Sequence, residues 1–285
     1  TDTLRTPHHG NRHREHDAGK QLLRTGTKTT HKERQSVPGT NLTRDEATAR
    51  AAVLHVTAYE IDLDLTTGPQ TFRTVTTVTF GATPGADTWI DFVGESVQAV
   101  TLNGRSLDPA QVFADSRIAL PGLAADNTLV VDATGRYTNS GEGLHRSVDP
   151  VDGEVYLYSQ FEVPDARRVY AVFEQPDLKA TFAFTVTVPE HWIVLSNEPV
   201  ATRTLAGEDR TTWTFPPTPR ISSYITAVCA GPYVGVTASF AGRGAQIPLG
   251  VYARKSLAEY VDHDNILDCT KAGIGFLEEE FDMPF

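Results

Sequence analysis

Cysteine and methionine are scarce in this chain, with two and one among 285 residues. Two cysteines cannot build a disulfide framework, and Cys229 and Cys269 share no metal-ligand spacing. A disulfide-stapled secreted scaffold and a cysteine zinc site are excluded, and a reducing, cytoplasmic compartment fits best. No apolar run approaches the roughly 20 residues of a membrane-spanning helix, so no membrane partner is expected. The first residues show no charged patch followed by an apolar stretch, so no secretory leader is expected either. Phosphate loops, nucleophile elbows and CxxC pairs are all missing. Gly141-Glu-Gly143 has neither a third glycine nor a preceding strand, and reads as a turn.

Positive charge is scarce outside the amino-terminal end. Residues 1–36 carry eight Lys/Arg against four Asp/Glu, leaving 17 basic and 32 acidic side chains, a net charge of −15, for residues 37–285. An acidic body repels phosphate backbones, so nucleic acid is not an expected partner. Residues 1–36 also hold five of the nine histidines, few large apolar residues and no periodicity, which predicts a disordered tail. His9 and His13 have helical i,i+4 spacing, but no apolar frame would hold them with His8 and His16 as a metal cluster.

What is present is β-patterned. Asn41–Val53 reads as a short helix capped by Asn41 or Thr43. From Tyr59 the period becomes two: Tyr59, Ile61, Leu63 and Leu65 alternate with Glu60, Asp62 and Asp64. Further strands are expected at 72–80, 88–92, 97–102, 117–120 and 128–133, separated by turns such as Asn103-Gly104. Phe182, Phe184, Val186 and Val188 repeat the alternation, and 192–195, 211–215, 221–230 and 247–253 extend the series. The pattern predicts a mainly β fold, a large antiparallel sandwich or saddle. One long helix is expected at 263–281, with Ile266, Ile274 and Phe281 as its apolar stripe beside Leu267 and Leu277. Such a stripe at the end of the chain calls for a covering partner.

The candidate site lies in Tyr158-Ser-Gln-Phe-Glu-Val-Pro-Asp-Ala-Arg-Arg-Val-Tyr-Ala-Val-Phe-Glu-Gln-Pro-Asp177. If residues 156–163 are extended, Gln160 and Glu162 share one face while Phe161 and Val163 turn to the core. A carboxylate there can pair with a substrate ammonium group through charge-assisted hydrogen bonds. The plainer reading is an edge strand with its polar face in solvent, and pattern alone favours it. His145 and His191 read as surface or capping residues. Arg167 and Arg168 read as braces, one of them paired with Asp165 or Glu174.

This segment, with Lys179-Ala-Thr-Phe-Ala-Phe-Thr-Val186, resembles the N-terminal domain of the M1 family of zinc aminopeptidases. Asn139-Ser-Gly-Glu-Gly-Leu-His145 and Pro219-Arg-Ile-Ser-Ser-Tyr-Ile225 are similar to that family's flanking segments. The resemblance implies a β-domain over residues 37–232 and, over 233–285, the start of an α+β, thermolysin-like catalytic domain. It implies an anchor for the substrate α-amine at Glu162 and a wall of the first side-chain pocket at Gln160. The implied substrates are peptides with a free amino terminus, and the implied partner is the remainder of the catalytic domain. The chain departs from the family where Val172-Phe-Glu-Gln-Pro176 stands in place of Cys-Phe-Asp-Glu-Pro, so no catalytic role is assigned to Glu174. The zinc implied for the whole enzyme needs a His-Glu-x-x-His helix, and no His-Glu dipeptide occurs here. By itself the chain is therefore expected to be inactive. The competing expectation is a non-catalytic β-sandwich module that binds a peptide or protein.

Overall fold

A computed structural model describes residues 41–285, so the expectations for the tail and its histidines lie outside the described residues. The first helix, α1, runs Arg44–Val53, and Thr43 caps it. The Thr43 hydroxyl accepts the Glu46 N–H at 3.2 Å, and the Glu46 carboxylate accepts the Thr43 N–H at 2.9 Å. Two otherwise orphaned amides are thereby satisfied, which decides for Thr43 over Asn41.

Period-two patterning then yields β1 (Leu54–Asp64), β2 (Thr71–Ala82), β3 (Thr88–Asp91), β4 (Ser96–Leu102) and β5 (Arg105–Leu107). A single turn, α2 (Pro109–Val112), precedes β6 (Phe113–Ala114), β7 (Arg117–Leu120) and β8 (Asp126–Arg136). Next come β9 (Gly143–Val148) and β10 (Val155–Gln160), then β11 (Thr181–Pro189) and β12 (Ile193–Ser196). The series continues with β13 (Thr202–Leu205), β14 (Arg210–Thr214) and β15 (Val228–Gly231). A hairpin of β16 (Val234–Ala241) and β17 (Gln246–Ala253) leads to α3 (His263–Glu280).

The largest sheet has eight strands in the order β13-β14-β11-β1-β2-β8-β4-β5, and β12-β15-β10-β9 form a second. The mainly β expectation holds, with one refinement: β1 and β11 pair in parallel. That pairing is possible because β1 and β11 are separated by most of the domain, so a long crossover joins them. Alternation sets the core as the sequence pattern implies. Tyr59, Ile61 and Leu63 of β1 are buried, as are Phe182, Phe184, Val186 and Val188 of β11. Tyr59 stacks flat on Phe182 with ring centroids 4.8 Å apart. Tyr170, from the candidate segment, meets Phe161, Phe182 and Phe184 edge-on at 5.9–6.3 Å. The segment that carries the candidate site thus also supplies the centre of the aromatic core.

The apolar stripe of α3 is corrected in part. Leu267 is buried, but Ile266, Leu277 and Phe281 are exposed, and the second buried position is Glu278. Its carboxylate accepts the N–H groups of Arg243 (3.0 Å) and Phe285 (2.8 Å). Two backbone donors at that place favour a carboxylate over a phenyl ring.

Candidate functional site

The strand that was expected to reach Val163 stops at Gln160. The Gln160 side-chain oxygen accepts the Glu162 N–H at 2.6 Å and so takes the amide that a longer ladder would use. Glu162 stands in the turn beyond the strand, and Val163 is 44% exposed instead of facing the core. Phe161 alone of the two expected anchors is buried. Gln160 and Glu162 nevertheless emerge together, both exposed, tied to each other by that one hydrogen bond.

Beneath them the chain is held at several points. Phe161 C=O accepts the Asp165 N–H at 3.2 Å, and residues Ala166–Arg168 form a single 3-10 turn. Arg168 pairs with Asp165 at 2.5 Å and reaches Glu142 at 3.3 Å. Its stem lies against Gly143, where an added Cβ would come within 2.9 Å of the Arg168 Cβ. Arg167 donates from Nε to Pro164 C=O at 3.0 Å. Both arginines therefore brace the loop, as their positions in the sequence suggest. The His145 ring accepts the Gly141 N–H through Nδ1 at 3.0 Å and stacks on Tyr158, its cross-strand neighbour, at 4.7 Å. It is a capping residue in a strand, and Gly143, read as part of a turn, is the first residue of β9.

The far end of the segment is a buried polar network. Glu174 is 5% exposed; its carboxylate accepts the Arg167 N–H (2.8 Å) and the Ser223 hydroxyl (2.6 Å). Desolvation pushes its carboxyl up to about 7, aided by the Asp91 charge and opposed by its two donors and Arg167. The Glu174 N–H donates to Asp91 Oδ2 at 3.2 Å. That same oxygen accepts Arg50 Nη1 at 2.8 Å, and Arg50 Nε donates to Gln175 at 3.0 Å. The Arg50 guanidinium also lies over the rings of Trp89 and Phe173, and its Nη2 finds no partner among the described residues. Arg117 covers Trp89 at 4.5 Å and pairs with Glu46 at 2.8 Å. That pairing holds the Glu46 carboxyl down to about 2.

Arg50, Asp91 and Ser223 were not singled out in the sequence. Their only mark is a charge or hydroxyl in a segment otherwise rich in small or apolar residues, and such residues usually face solvent.

A family model described as the peptidase M1 N-terminal domain matches residues 56–225. The chain belongs to the peptidase M1 family. It is 56% identical over 253 residues to an aminopeptidase N of Streptomyces lividans, covering 87% of this chain and 29% of that protein. An aminopeptidase N of Acetobacter pasteurianus is 36% identical over 138 residues, which are 47% of this chain and 37% of the relative. Aminopeptidase M1-C of Oryza sativa subsp. japonica is 31% identical over 202 residues, 67% of this chain and 22% of the relative. The chain thus spans between about a fifth and two fifths of the length of these relatives. The family match includes the whole Gln160–Asp177 segment, both the exposed pair and the buried network.

No helix among the described residues is long and apolar enough to cross a membrane. Among the same residues, no group of three or more His, Cys, Asp or Glu side chains is placed to hold a metal ion. A zinc centre does not fit these residues.

Proposed function

We propose that this chain is the N-terminal portion of a cytoplasmic zinc aminopeptidase that releases amino-terminal residues from peptides. In this reading residues 37–232 are the β-domain and 233–285 begin the catalytic domain. Glu162 holds the α-amine of the substrate, and Gln160 forms part of the wall around its first side chain. Zinc, where present, is held by polypeptide other than the described residues, and the chain by itself is inactive.

The observation that carries the reading is the Gln160–Glu162 pair. Two exposed polar side chains project from a turn whose backbone is pinned to the core by Phe161, Arg167 and Arg168. A pinned backbone limits where the Glu162 carboxylate can reach, which lowers the ordering cost when a substrate amine arrives. An exposed carboxylate binds an ammonium group weakly in water, by roughly 0–1 kcal/mol. Covering the pair with the rest of a catalytic domain would strip that water and strengthen the contact, to about 1.5–3 kcal/mol for a charged hydrogen bond. A covered carboxylate without its ammonium partner is costly, which favours substrates with a free amino end.

The test is Glu162→Ala in the longer enzyme. KM for aminoacyl substrates is expected to rise about 10- to 100-fold, with bound zinc unchanged. An unchanged KM removes Glu162 from the binding site.

A further inference from the structure

Glu174 is the most deeply buried carboxylate of the candidate segment, and no substrate role absorbs it. Its two oxygens take donors from two different parts of the chain: Oε2 accepts the Arg167 N–H and Oε1 the Ser223 hydroxyl. Its own N–H is fixed to Asp91 at the end of β3. Arg167 in turn is tied to β3's flank, since its C=O accepts the Val93 N–H at 2.7 Å. Its Nε reaches Pro164 C=O, two residues from Glu162. Ser223 begins the 3-10 turn that leads into β15, and β15 pairs with β10 at Tyr158 and Leu157. Glu174 therefore joins both members of the frame that presents Gln160 and Glu162: the turn itself and the strand beside it.

We propose that Glu174 is a positioning residue, a buried tie that sets the placement of the Gln160–Glu162 turn relative to β15. The alignment with a substrate role rests on the reading of Glu162 as the amine anchor; the tie itself does not. An apolar side chain at 174 would fill the space without desolvating a charge. It would take away the acceptor that the Arg167 N–H and the Ser223 hydroxyl share. Glutamine keeps one carbonyl oxygen for Arg167, and its NH2 can donate to the Ser223 oxygen. The two substitutions therefore separate the tie from the charge.

The experiment is amide hydrogen exchange on the full 285-residue chain, comparing wild type with Glu174→Ala, Glu174→Gln and Ser223→Ala. Glu174→Ala is expected to accelerate exchange at residues 165–168 by about tenfold or more, with β1 and β2 amides changed less than about twofold. Glu174→Gln is expected to restore protection to within about twofold of wild type. Unchanged exchange at 165–168 overturns the proposal, and so does an equal acceleration of β1 and β2, which would mark a general loss of stability. Should Glu174→Ala fail to fold, Ser223→Ala is read by the same two criteria, at about threefold or more. In the longer enzyme, Glu174→Ala is expected to raise KM severalfold with kcat less affected, and Glu174→Gln to rescue it. If Glu162→Ala leaves KM unmoved while the exchange pattern holds, the anchor is wrong and the tie stands.

Discussion

The two ends of the segment 158–177 use the same residue types in opposite surroundings. At one end Glu162 and Gln160 are exposed and hydrogen-bonded chiefly to each other. At the other, Glu174 and Gln175 are buried among Asp91, Arg50, Arg167 and Ser223, with every carboxylate oxygen of Glu174 taken. Sequence type does not separate the two pairs; the second glutamate is held in by the Arg167 backbone N–H and the Ser223 hydroxyl, each donated from a 3-10 turn. On the proposed reading, the exposed end is kept for a ligand and the buried end for the fold, a dozen positions apart.

Asp91 offers the strongest way to break this division. Asp91→Ala leaves Arg50, whose side chain is fully buried, without its carboxylate partner, and strips an acceptor from the Glu174 N–H. Removing one partner of a buried pair costs about 3–5 kcal/mol, to be read as a lower urea midpoint at unchanged m. A loss under about 1 kcal/mol would mean that the network is not what holds the segment.

Glu174 sharpens the comparison through pH. Its carboxyl is raised to about 7 in the folded chain against 4.5 when unfolded, so the folded state keeps a proton that the unfolded state gives up. The stability this group contributes is complete below pH 4.5 and is lost as pH rises through about 7. Asp91 and Arg167 face it with opposite charges, and Tyr59 and Tyr170 titrate above this window, raised by burial. Glu174→Gln should flatten that part of the profile, a difference on the order of 2 kcal/mol between pH 5 and 8. Parallel wild-type and variant profiles would show that the carboxyl does not titrate there.

Glu46 gives the mirror image at smaller size. The Arg117 pairing holds its carboxyl down to about 2, so its contribution is present above pH 4.5 and fades as pH falls toward 2. Glu46→Gln is expected to lose at most about 1 kcal/mol at neutral pH, since the pair is partly exposed, and to match wild type near pH 2.

How much of this was legible in advance differs by element. β1, β2, β8 and β11 were plain because each alternates over many residues, and one buried face fixes the period. β13 was missed because all four of its residues are exposed and no alternation is written into it; β16 was missed although Val234, Val236 and Phe240 alternate, because the small residues between and beside them weaken the pattern. The cap at Thr43 was readable from Glu46 three residues on. The site was half readable. The exposure of Gln160 and Glu162 was readable, but their common strand face was not borne out: the strand ends at Gln160, because a side-chain oxygen claims the Glu162 amide. The buried network was opaque, since Arg50 and Asp91, Glu174 and Ser223 meet only in three dimensions. In α3 the stripe misled: two distant backbone donors draw in Glu278 and leave Phe281 outside.

The smallest expected effect decides the comparison most directly. Glu162→Ala should change folding stability by less than about 0.5 kcal/mol, because its side chain is exposed and the bond in which it takes part uses its backbone N–H, which alanine keeps. Paired urea titrations of Glu162→Ala and Asp91→Ala then set the two ends of the segment side by side. A loss above about 1 kcal/mol at Glu162 would show that its carboxylate braces the fold, and a group already spent on the fold is a poor one to offer a substrate amine. A silent substitution, together with a raised KM in the longer enzyme, is the signature of a side chain kept for a ligand.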